Sequence, residues 1–233
     1  MKFGVVVFPG SNCDDDMMHV LGHVLGAETR KLWHKETGLE GYTAEDCIVL
    51  PGGFAYGDYL RAGAIARYSP IMQSVISFAN SGGKVWGICN GFQILCESWL
   101  LPGALVRNQE QKFISKNIHL RVETTDSLIT RQCHVGQILK MPIAHAEGRY
   151  IPGPEGIAEL IRHDQVLFRY CNEDGTLGSD NGSTDHIAGI CNIGRNVFGM
   201  MPHPERAAEA ILGNTDGLLL FKSIYAMMAE PVS

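Results

Sequence analysis

Three short apolar runs, each followed at once by a glycine-containing turn, most strongly constrain the fold of this chain. They are FGVVVF (Phe3–Phe8), CIVL (Cys47–Leu50) and KVWGI (Lys84–Ile88). Continuous β-branched and aliphatic runs of this length are typical of strands buried on both faces of a parallel sheet. Amphipathic helical patterns alternate with them, most clearly from Pro70 to Asn80. The alternation predicts an α/β fold with a mostly parallel central sheet flanked by helices.

The rest of the chain adds five predicted strands, at Ile118–Thr125, Met141–Ala144, Leu167–Cys171, His186–Cys191 and Val197–Met201. Turn-rich segments separate the first three, which predict a small antiparallel patch in the middle of the chain. A closing helix is predicted from Asp216 to Ala229. Because no linker or internal repeat divides the sequence, residues 1–233 are expected to form a single domain.

Composition excludes several classes of partner. The formal net charge is −6 and no block of lysine or arginine occurs, which argues against nucleic acid. The seven cysteines lack CxxC or CxxH spacing, so neither a metal site nor a disulfide framework is predicted, and an odd count fits a reducing compartment. No apolar run approaches the ~18 residues of a membrane span. We therefore expect a cytoplasmic protein.

Cysteine is an unusual residue for the turn in GICNG, where Cys89 lies between a buried strand and a helix. The pentapeptide fits the G-x-C-x-G form of a nucleophile elbow, in which a strained strand-to-helix turn exposes the nucleophile at the end of a sheet. The helix dipole also favours the thiolate at this position. A buried structural cysteine is the alternative interpretation of the pentapeptide alone.

A thiol nucleophile usually needs a base and a group that orients the base. The sequence MPHPE supplies both directly after a predicted strand, as His203 and Glu205. If the backbone stays extended through Pro204, the side chains at 203 and 205 project to one side, and the carboxylate can orient the imidazole. A solvent-exposed turn is the alternative for this motif alone.

The same chemistry needs hydrogen-bond donors for a developing oxyanion. The turn Pro51–Gly53 follows the second strand and should bring free N–H groups to the sheet edge where Cys89 lies. The N–H groups of Gly53 and Asn90 are the predicted pair, the second belonging to the residue after the nucleophile. Three strand ends then carry the oxyanion turn, the nucleophile and the base.

With PGGF, GICNGFQ and PHPE spread over most of its length, the chain resembles the class I, triad-type glutamine amidotransferases. That resemblance implies that Cys89 attacks the side-chain amide of L-glutamine, that His203 acts as base and then acid, and that Glu205 orients the imidazole. It also implies substrate contacts at Gln93, Asn108 and Phe113.

A narrower resemblance rests on GSNCD, GGFAYGDYLRAGAIAR, LLPGALVRN, PIAHAEGRY and GMMPHPERA, which are similar to the glutaminase subunits of phosphoribosylformylglycinamidine synthases of purine biosynthesis. It implies a large synthetase subunit that uses ATP and magnesium, and a small third subunit. No cofactor is expected in this chain, and it has no G-x-x-x-x-G-K-[ST] loop. Lys112–Asn117 departs from the more aromatic pattern of that family.

Two further groups of residues each have more than one possible interpretation. Tyr56, Asp58, Tyr59 and Arg61 follow the oxyanion turn and are either partner-docking residues or a solvated loop. His145, Glu147 and Arg149 alternate in PIAHAEGRY. Without further ligands the second group is weak as a metal site and is interpreted as a loop that shapes the glutamine pocket or the partner face.

Three other functions are weighed against glutamine hydrolysis for this synthase. An amidotransferase with a different acceptor would not explain the GDYLRAGAIA segment. A non-catalytic relative that senses oxidation through Cys89 would not need His203 and Glu205 in register. An α/β hydrolase would usually have serine as nucleophile and its acid before its histidine, whereas here the acid follows the histidine.

Overall fold

The structure of the chain, a computed structural model, describes residues 1–226. Eleven strands are present: β1 (Phe3–Val7), β2 (Thr29–Trp33), β3 (Cys47–Leu50), β4 (Lys84–Ile88), β5 (Ala104–Val106), β6 (Ile114–Val122), β7 (Ile138–His145), β8 (Arg149–Ile151), β9 (Val166–Cys171), β10 (Ile187–Cys191) and β11 (Val197–Met200). Nine of them form one sheet in the order β2-β1-β3-β4-β11-β10-β9-β6-β7, and β5 pairs with β8 in a second, two-stranded sheet.

The first five strands of the large sheet are parallel, which confirms the α/β prediction. Every residue of β3, β4 and β11 is buried, as their continuous apolar sequences predict. The carboxyl ends of these three strands meet at one edge of the sheet. That edge therefore carries the turn after β3, the elbow after β4 and the loop after β11.

The remaining strands β10, β9, β6 and β7 are antiparallel to their neighbours and extend the large sheet. The predicted antiparallel patch is thus continuous with the main sheet, and the separate β5–β8 pair is also antiparallel. Strand β7 lies at the end of the large sheet, so one of its edges is free of strand pairing. This free edge matters for the site described below.

In the described part of the chain, five α-helices accompany the sheet: α1 (Asp14–Met18), α2 (Pro70–Asn80), α3 (Asn90–Glu97), α4 (Gly156–Arg162) and α5 (Asp216–Tyr225). Helix α3 follows Cys89 directly and packs against β3, β4 and β11. Helix α1 continues as a π-helix over His19–Val24, so the helix predicted after β1 is present but changes its winding. Within residues 1–226, no helix is long and apolar enough to cross a membrane.

Strands β2, β5 and β8 and helix α4 are not predicted by the sequence patterns. Strand β2 has the sequence TRKLW, in which only Leu32 is buried, because the strand lies at the edge of the sheet. The closing helix begins at Asp216 as predicted and is described to Tyr225, with Ala226 as its C-cap. The predicted helical positions 227–229 lie outside the described residues.

Candidate active site

Cys89 occupies a strained turn between β4 and α3. Its φ of 51° and ψ of −107° are sparsely populated for residues with a side chain, and the residue is 4% exposed. The flanking glycines are required by close packing. A Cβ on Gly91 would lie 1.9 Å from the carbonyl oxygen of Leu50, and one on Gly87 would lie 2.6 Å from the carbonyl of Gly91. The predicted strand–turn–helix elbow is therefore present.

His203 and Glu205 form a buried pair behind the thiol. The imidazole Nδ1 lies 2.6 Å from Oε1 of Glu205, and both residues are 2% exposed. The expected extended backbone is wrong, however, because Pro204 opens a short 3-10 helix over Pro204–Ala207. Proline fixes a φ near −65°, which suits the first residue of such a turn. The two side chains meet across this turn.

The protonated form of His203 is stabilised by its neighbours. Burial alone would lower its pKa, but the Glu205 carboxylate, the charge of a Cys89 thiolate and contacts with Cys13 and Cys89 hold the pKa well above its usual value. The other ring nitrogen, Nε2, is buried and has no conventional hydrogen bond within residues 1–226. An imidazolium beside a thiolate is the form that can protonate a leaving amine.

The centre of the site is the space over Gly52, which has no side chain to fill it. A Cβ there would lie 2.7 Å from Cε1 of His203, 3.1 Å from Sγ of Cys13 and 3.4 Å from Cβ of Cys89. Two thiols and an imidazole thus surround the turn after β3. Cys13 is not among the predicted site residues, although it lies in the GSNCD segment on which the family resemblance partly rests.

Cys13 is a second buried thiol whose neighbours differ from those of Cys89. Nη2 of Arg206 lies 3.1 Å from its Sγ, and Nε of Arg206 lies 3.1 Å from a carboxylate oxygen of Asp16. Ligand atoms of Cys13, His203 and Glu205 lie within 4.8 Å of one another, close enough in principle to hold a metal ion. The guanidinium beside the thiol disfavours a cation, and the histidine and glutamate are already paired with each other.

The two predicted oxyanion donors have free amides at the correct sheet edge. Gly53 has a φ of 146°, in the region that favours glycine, and packs on the backbone of Ser11 and Asn12. Asn90 is the first residue of α3, where an N–H has no partner within the helix. In the described part of the chain, neither amide donates a hydrogen bond to another group.

The side chains of Asn90 and Gln93 are linked to each other and to a more distant loop. Nδ2 of Asn90 donates to Oε1 of Gln93 at 2.8 Å, and Nε2 of Gln93 donates to the carbonyl of Glu147 at 2.6 Å. Oδ1 of Asn90 accepts from the N–H of Ala55 at 3.0 Å. Gln93 is 5% exposed, and its amide group joins α3 to the loop that contains Glu147, while its predicted contact with substrate stays a prediction.

Asn108 also holds the loop that contains Glu147. The residue is completely buried, and its amide group donates to the carbonyls of Lys112 and His145 at 2.8 and 2.9 Å. Its Oδ1 accepts from the N–H of Gly148 and faces Nδ1 of His145, both at 3.1 Å. All four hydrogen-bonding positions of this side chain are thus engaged within the protein. Phe113, by contrast, is 51% exposed and directly precedes β6, so its predicted contact with substrate stays a prediction.

The alternating residues of PIAHAEGRY have separate environments. Burial, and to a lesser extent the charge of His203, lowers the pKa of His145 to about 4. Glu147 accepts from the N–H of Ala62 at 3.0 Å, and Nε of Arg149 donates to the carbonyl of Gly182 at 3.0 Å. Because these side chains bond to different partners, they do not form one ligand set.

The free edge of β7 completes the site, which the sequence did not indicate. The carbonyl oxygen of Pro142 accepts from the N–H of His203 at 2.9 Å, and the carbonyl of Ala144 lies 3.8 Å from Sγ of Cys89. An edge strand offers unpaired carbonyl groups. Strand β7 uses two of them to bind the backbone N–H of His203 and to contact the thiol of Cys89.

The segment after the oxyanion turn contains both inward-facing and outward-facing side chains. The hydroxyl of Tyr56 lies 2.8 Å from Nδ1 of His34 and 2.8 Å from Oγ of Ser69, so it anchors the segment. Tyr59 and Leu60 are 74% and 90% exposed. Arg61 forms a bidentate ion pair with Glu97, with N–O distances of 2.5 and 2.7 Å.

The whole chain has close relatives of known family. Residues 1–217 match the family described as CobB/CobQ-like glutamine amidotransferase domain. The phosphoribosylformylglycinamidine synthase subunit PurQ of Synechococcus elongatus is 56% identical over 233 residues and covers both chains completely. The subunit of the same name from Koribacter versatilis is 54% identical, covering 99% of this chain and all of the relative.

Solved structures agree with these matches. The structure of PurLQS from Thermotoga maritima superposes with a TM-score of 0.86 at 41% identity, covering 97% of this chain and 98% of the matched chain. A putative GMP synthase subunit from Thermoplasma acidophilum shares the fold, with a TM-score of 0.62 at 16% identity, covering 98% and 94% of the two chains. The fold and the matched domain define a glutamine amidotransferase. Within that class, the chain belongs to the PurQ family of phosphoribosylformylglycinamidine synthase subunits.

Proposed function

We propose that this chain hydrolyses the side-chain amide of L-glutamine and supplies the ammonia to a partner synthetase. In this proposal the thiolate of Cys89 attacks the carboxamide carbon, and the N–H groups of Gly53 and Asn90 bind the oxygen on which negative charge develops. The imidazolium of His203 gives its proton to the leaving nitrogen. Ammonia departs and a glutamyl thioester remains on Cys89.

The second half of the reaction reverses the direction of proton transfer. Neutral His203 removes a proton from a water molecule, whose oxygen attacks the thioester carbon. The same amides bind the second oxyanion, the carbon–sulfur bond breaks, and glutamate is released. Glu205 keeps Nδ1 occupied at 2.6 Å throughout, so that Nε2 performs both proton transfers. Glutamine and water are thereby converted to glutamate and ammonia.

The acceptor of the ammonia is formylglycinamide ribonucleotide, which the synthetase converts to formylglycinamidine ribonucleotide in de novo purine biosynthesis. The PurQ relatives are named as subunits of that synthase, which supports this assignment. ATP and magnesium act in the large synthetase subunit, and no cofactor acts in this chain. A small third subunit completes the proposed complex.

The buried His203–Glu205 pair beside the strained Cys89 turn is the observation that carries the proposal. A cysteine that only sensed oxidation would not need an imidazole oriented by a carboxylate. A serine-type α/β hydrolase would not have a thiol at the elbow. The site therefore favours acyl transfer through a thioester.

The test is the Cys89→Ala variant, assayed in complex with the synthetase. We expect glutamine-dependent synthesis to be abolished, because no thioester can form. Synthesis from added ammonium chloride should stay within about twofold of the wild type, because the synthetase site is unchanged. Product formation is measured with each nitrogen source, and glutamate release is measured in parallel.

Cys96→Ala is the matched control, since Cys96 is also a buried thiol but lies in α3 near Pro102. It should keep both activities. Equal loss of both nitrogen sources in Cys89→Ala would contradict the separation of ammonia production from synthesis. Full glutamine-dependent activity in that variant would contradict the thioester mechanism itself.

A further inference from the structure

Three non-glycine residues in the segment after the oxyanion turn have left-handed backbone conformations. The φ angles are 55° at Tyr56, 53° at Asp58 and 70° at Leu60. Each such residue costs on the order of 1 kcal/mol or more, and strain of this kind concentrates at functional sites. The hydroxyl of Tyr56 is bonded to His34 and Ser69, which holds the segment in place.

This conformation directs Asp58 toward the active site. Its Oδ1 lies 3.4 Å from Nδ2 of Asn90, the residue that follows the proposed nucleophile. The adjacent residues Tyr59 and Leu60 are largely exposed, whereas Asp58 is partly buried. Asp58 therefore lies against the side chain of Asn90, whose backbone N–H is the proposed oxyanion donor, and not on the outer surface of the segment.

The surroundings of Asp58 are short of positive charge. Burial, and secondly the charge of Glu147, raise the pKa of Asp58 to about 6. Glu147 has neighbours of its own, the N–H of Ala62 at 3.0 Å and Nε of Arg107 at 3.9 Å. Within residues 1–226, Asp58 has no ion-pair partner. Two neighbouring carboxylates, one without a partner, form a site for a cation.

We infer that Asp58, with Glu147 behind it, binds the α-ammonium group of glutamine; this rests on the proposed glutaminase function. The ammonium is the only cationic group of the substrate. Its nitrogen lies roughly 5 Å from the carboxamide carbon in an extended glutamine, as bond lengths dictate. Asp58 contacts the side chain of Asn90, the residue that directly follows Cys89, and the inference places the ammonium on this side of the thiol.

Such a contact makes Asp58 a residue that determines specificity. The ammonium is present in substrate and transition state alike, so its binding chiefly lowers KM. A charge-assisted hydrogen bond of this type is worth about 10- to 100-fold in affinity. Amides without an α-ammonium should therefore be poor substrates of the wild-type complex.

The test compares two enzymes with two substrates. The complex with saturating synthetase is assayed with glutamine and with 4-carbamoylbutanoate, which has the same carboxamide and carboxylate but no α-amino group. We expect the Asp58→Asn variant to raise KM for glutamine about 10- to 100-fold, with a much smaller change in kcat. Activity on 4-carbamoylbutanoate should change less than about threefold, so the preference for glutamine falls by about threefold or more.

The variant is nearly isosteric, and asparagine tolerates the left-handed conformation, so folding should be retained. The pH profile is a second readout. Asp58 must be ionised to bind an ammonium, so kcat/KM of the wild type should fall as the pH drops below about 6. The decrease in kcat/KM that is caused by protonation of Asp58 should be absent in Asp58→Asn and in reactions with 4-carbamoylbutanoate.

Glu159→Gln is the matched control, because it removes a carboxylate that pairs with Arg162 in α4, outside this segment. It should keep the wild-type preference for glutamine. An unchanged preference for glutamine in Asp58→Asn would overturn the inference. It would also be overturned if the variant only needed a higher synthetase concentration for activation, because that result would assign Asp58 to docking. If the wild-type complex releases no glutamate, the proposed function and this inference both fail. If it is active and Asp58→Asn behaves like it, only the inference fails.

Discussion

At the scale of single residues, the candidate site depends on Gly52, because glycine has no side chain to fill the space above it. The space over Gly52 is shared by the His203 ring, the Cys13 sulfur and the Cβ of Cys89, each within 3.4 Å of the position where a Cβ would lie. The backbone of Gly52 does not have a positive φ, so conformational freedom is not the reason for glycine here. Glycine leaves room here for the His203 ring and the two cysteine side chains.

Gly52→Ala should therefore impair catalysis more than folding. The added methyl group would lie 2.7 Å from Cε1 of His203, so the imidazole must move. Displacement of a catalytic group by about 1 Å can cost roughly 100-fold in rate. We expect kcat/KM for glutamine to fall by about that factor, and overpacking to cost about 1–3 kcal/mol of unfolding free energy. Steady-state kinetics and urea unfolding measure the two quantities.

Gly22→Ala provides the control for that substitution. The nearest atoms to its added Cβ are those of Thr29 at 3.9 Å, which is an ordinary contact distance. Activity should stay at the wild-type value. Wild-type kinetics in Gly52→Ala would show that the imidazole functions equally well from a displaced position, which would contradict the proposed geometry.

At the scale of elements, the backbone strain at Cys89 is a property of the β4–α3 junction. Any residue with a Cβ at position 89 must adopt a φ of 51° and a ψ of −107° to connect the buried strand to the buried helix. Such strain costs about 1–3 kcal/mol, whereas glycine relieves it at an entropic cost of about 0.4–1 kcal/mol. The junction thus gives up stability to present the thiol.

Cys89→Gly should consequently be more stable than Cys89→Ala, by about 1 kcal/mol at 25 °C. Both variants lack the thiol and should be inactive with glutamine, so the comparison isolates the backbone. Urea unfolding of the two variants, followed by circular dichroism, measures the difference. Equal stability, or a more stable alanine variant, would contradict the presence of strain at the junction.

Sequence patterns predicted elements well where burial alone determines them. The bounds predicted for β3, β4 and α2 match those of the structure, because a strand buried on both faces and an amphipathic helix have distinct apolar periods. Strand β2 has only one buried side chain and therefore no such pattern. Strands β6 and β7 extend beyond their apolar cores because cross-strand pairing, not composition, sets their length.

The residues of the candidate site likewise differ in whether the sequence could predict them. Cys89, His203 and Glu205 could be predicted because motifs at strand ends identify them, and the structure brings all three together. The carbonyls of Pro142 and Ala144 could not, because a backbone group has no sequence signature. Asn108 was predicted to contact substrate, but its complete hydrogen bonding within the protein favours a supporting position. The catalytic and binding roles themselves stay predictions until the variants are assayed.

At the scale of the whole molecule, the segment after the oxyanion turn connects the site to the outer surface. Its inner side is fixed by Tyr56 and by the Arg61–Glu97 ion pair. Its outer side presents Tyr59 and Leu60, which are 74% and 90% exposed. Exposed aromatic and aliphatic side chains next to a catalytic site are typical of protein–protein contacts. We expect the large synthetase subunit to bind here.

Leu60→Asp should therefore weaken the complex with the synthetase. A charge placed in the centre of an apolar contact must lose its hydration on binding, and we expect the dissociation constant to rise at least about 10-fold. Ile211→Asp is the matched control, because Ile211 is also 90% exposed but lies in the short 3-10 helix Ala210–Leu212. Calorimetric titration of each variant with the synthetase measures the affinity.

Weaker binding by Ile211→Asp with unchanged binding by Leu60→Asp would place the contact on another surface. If Leu60→Asp alone is weakened, higher synthetase concentrations should restore its glutamate release, since the substitution leaves the catalytic groups in place.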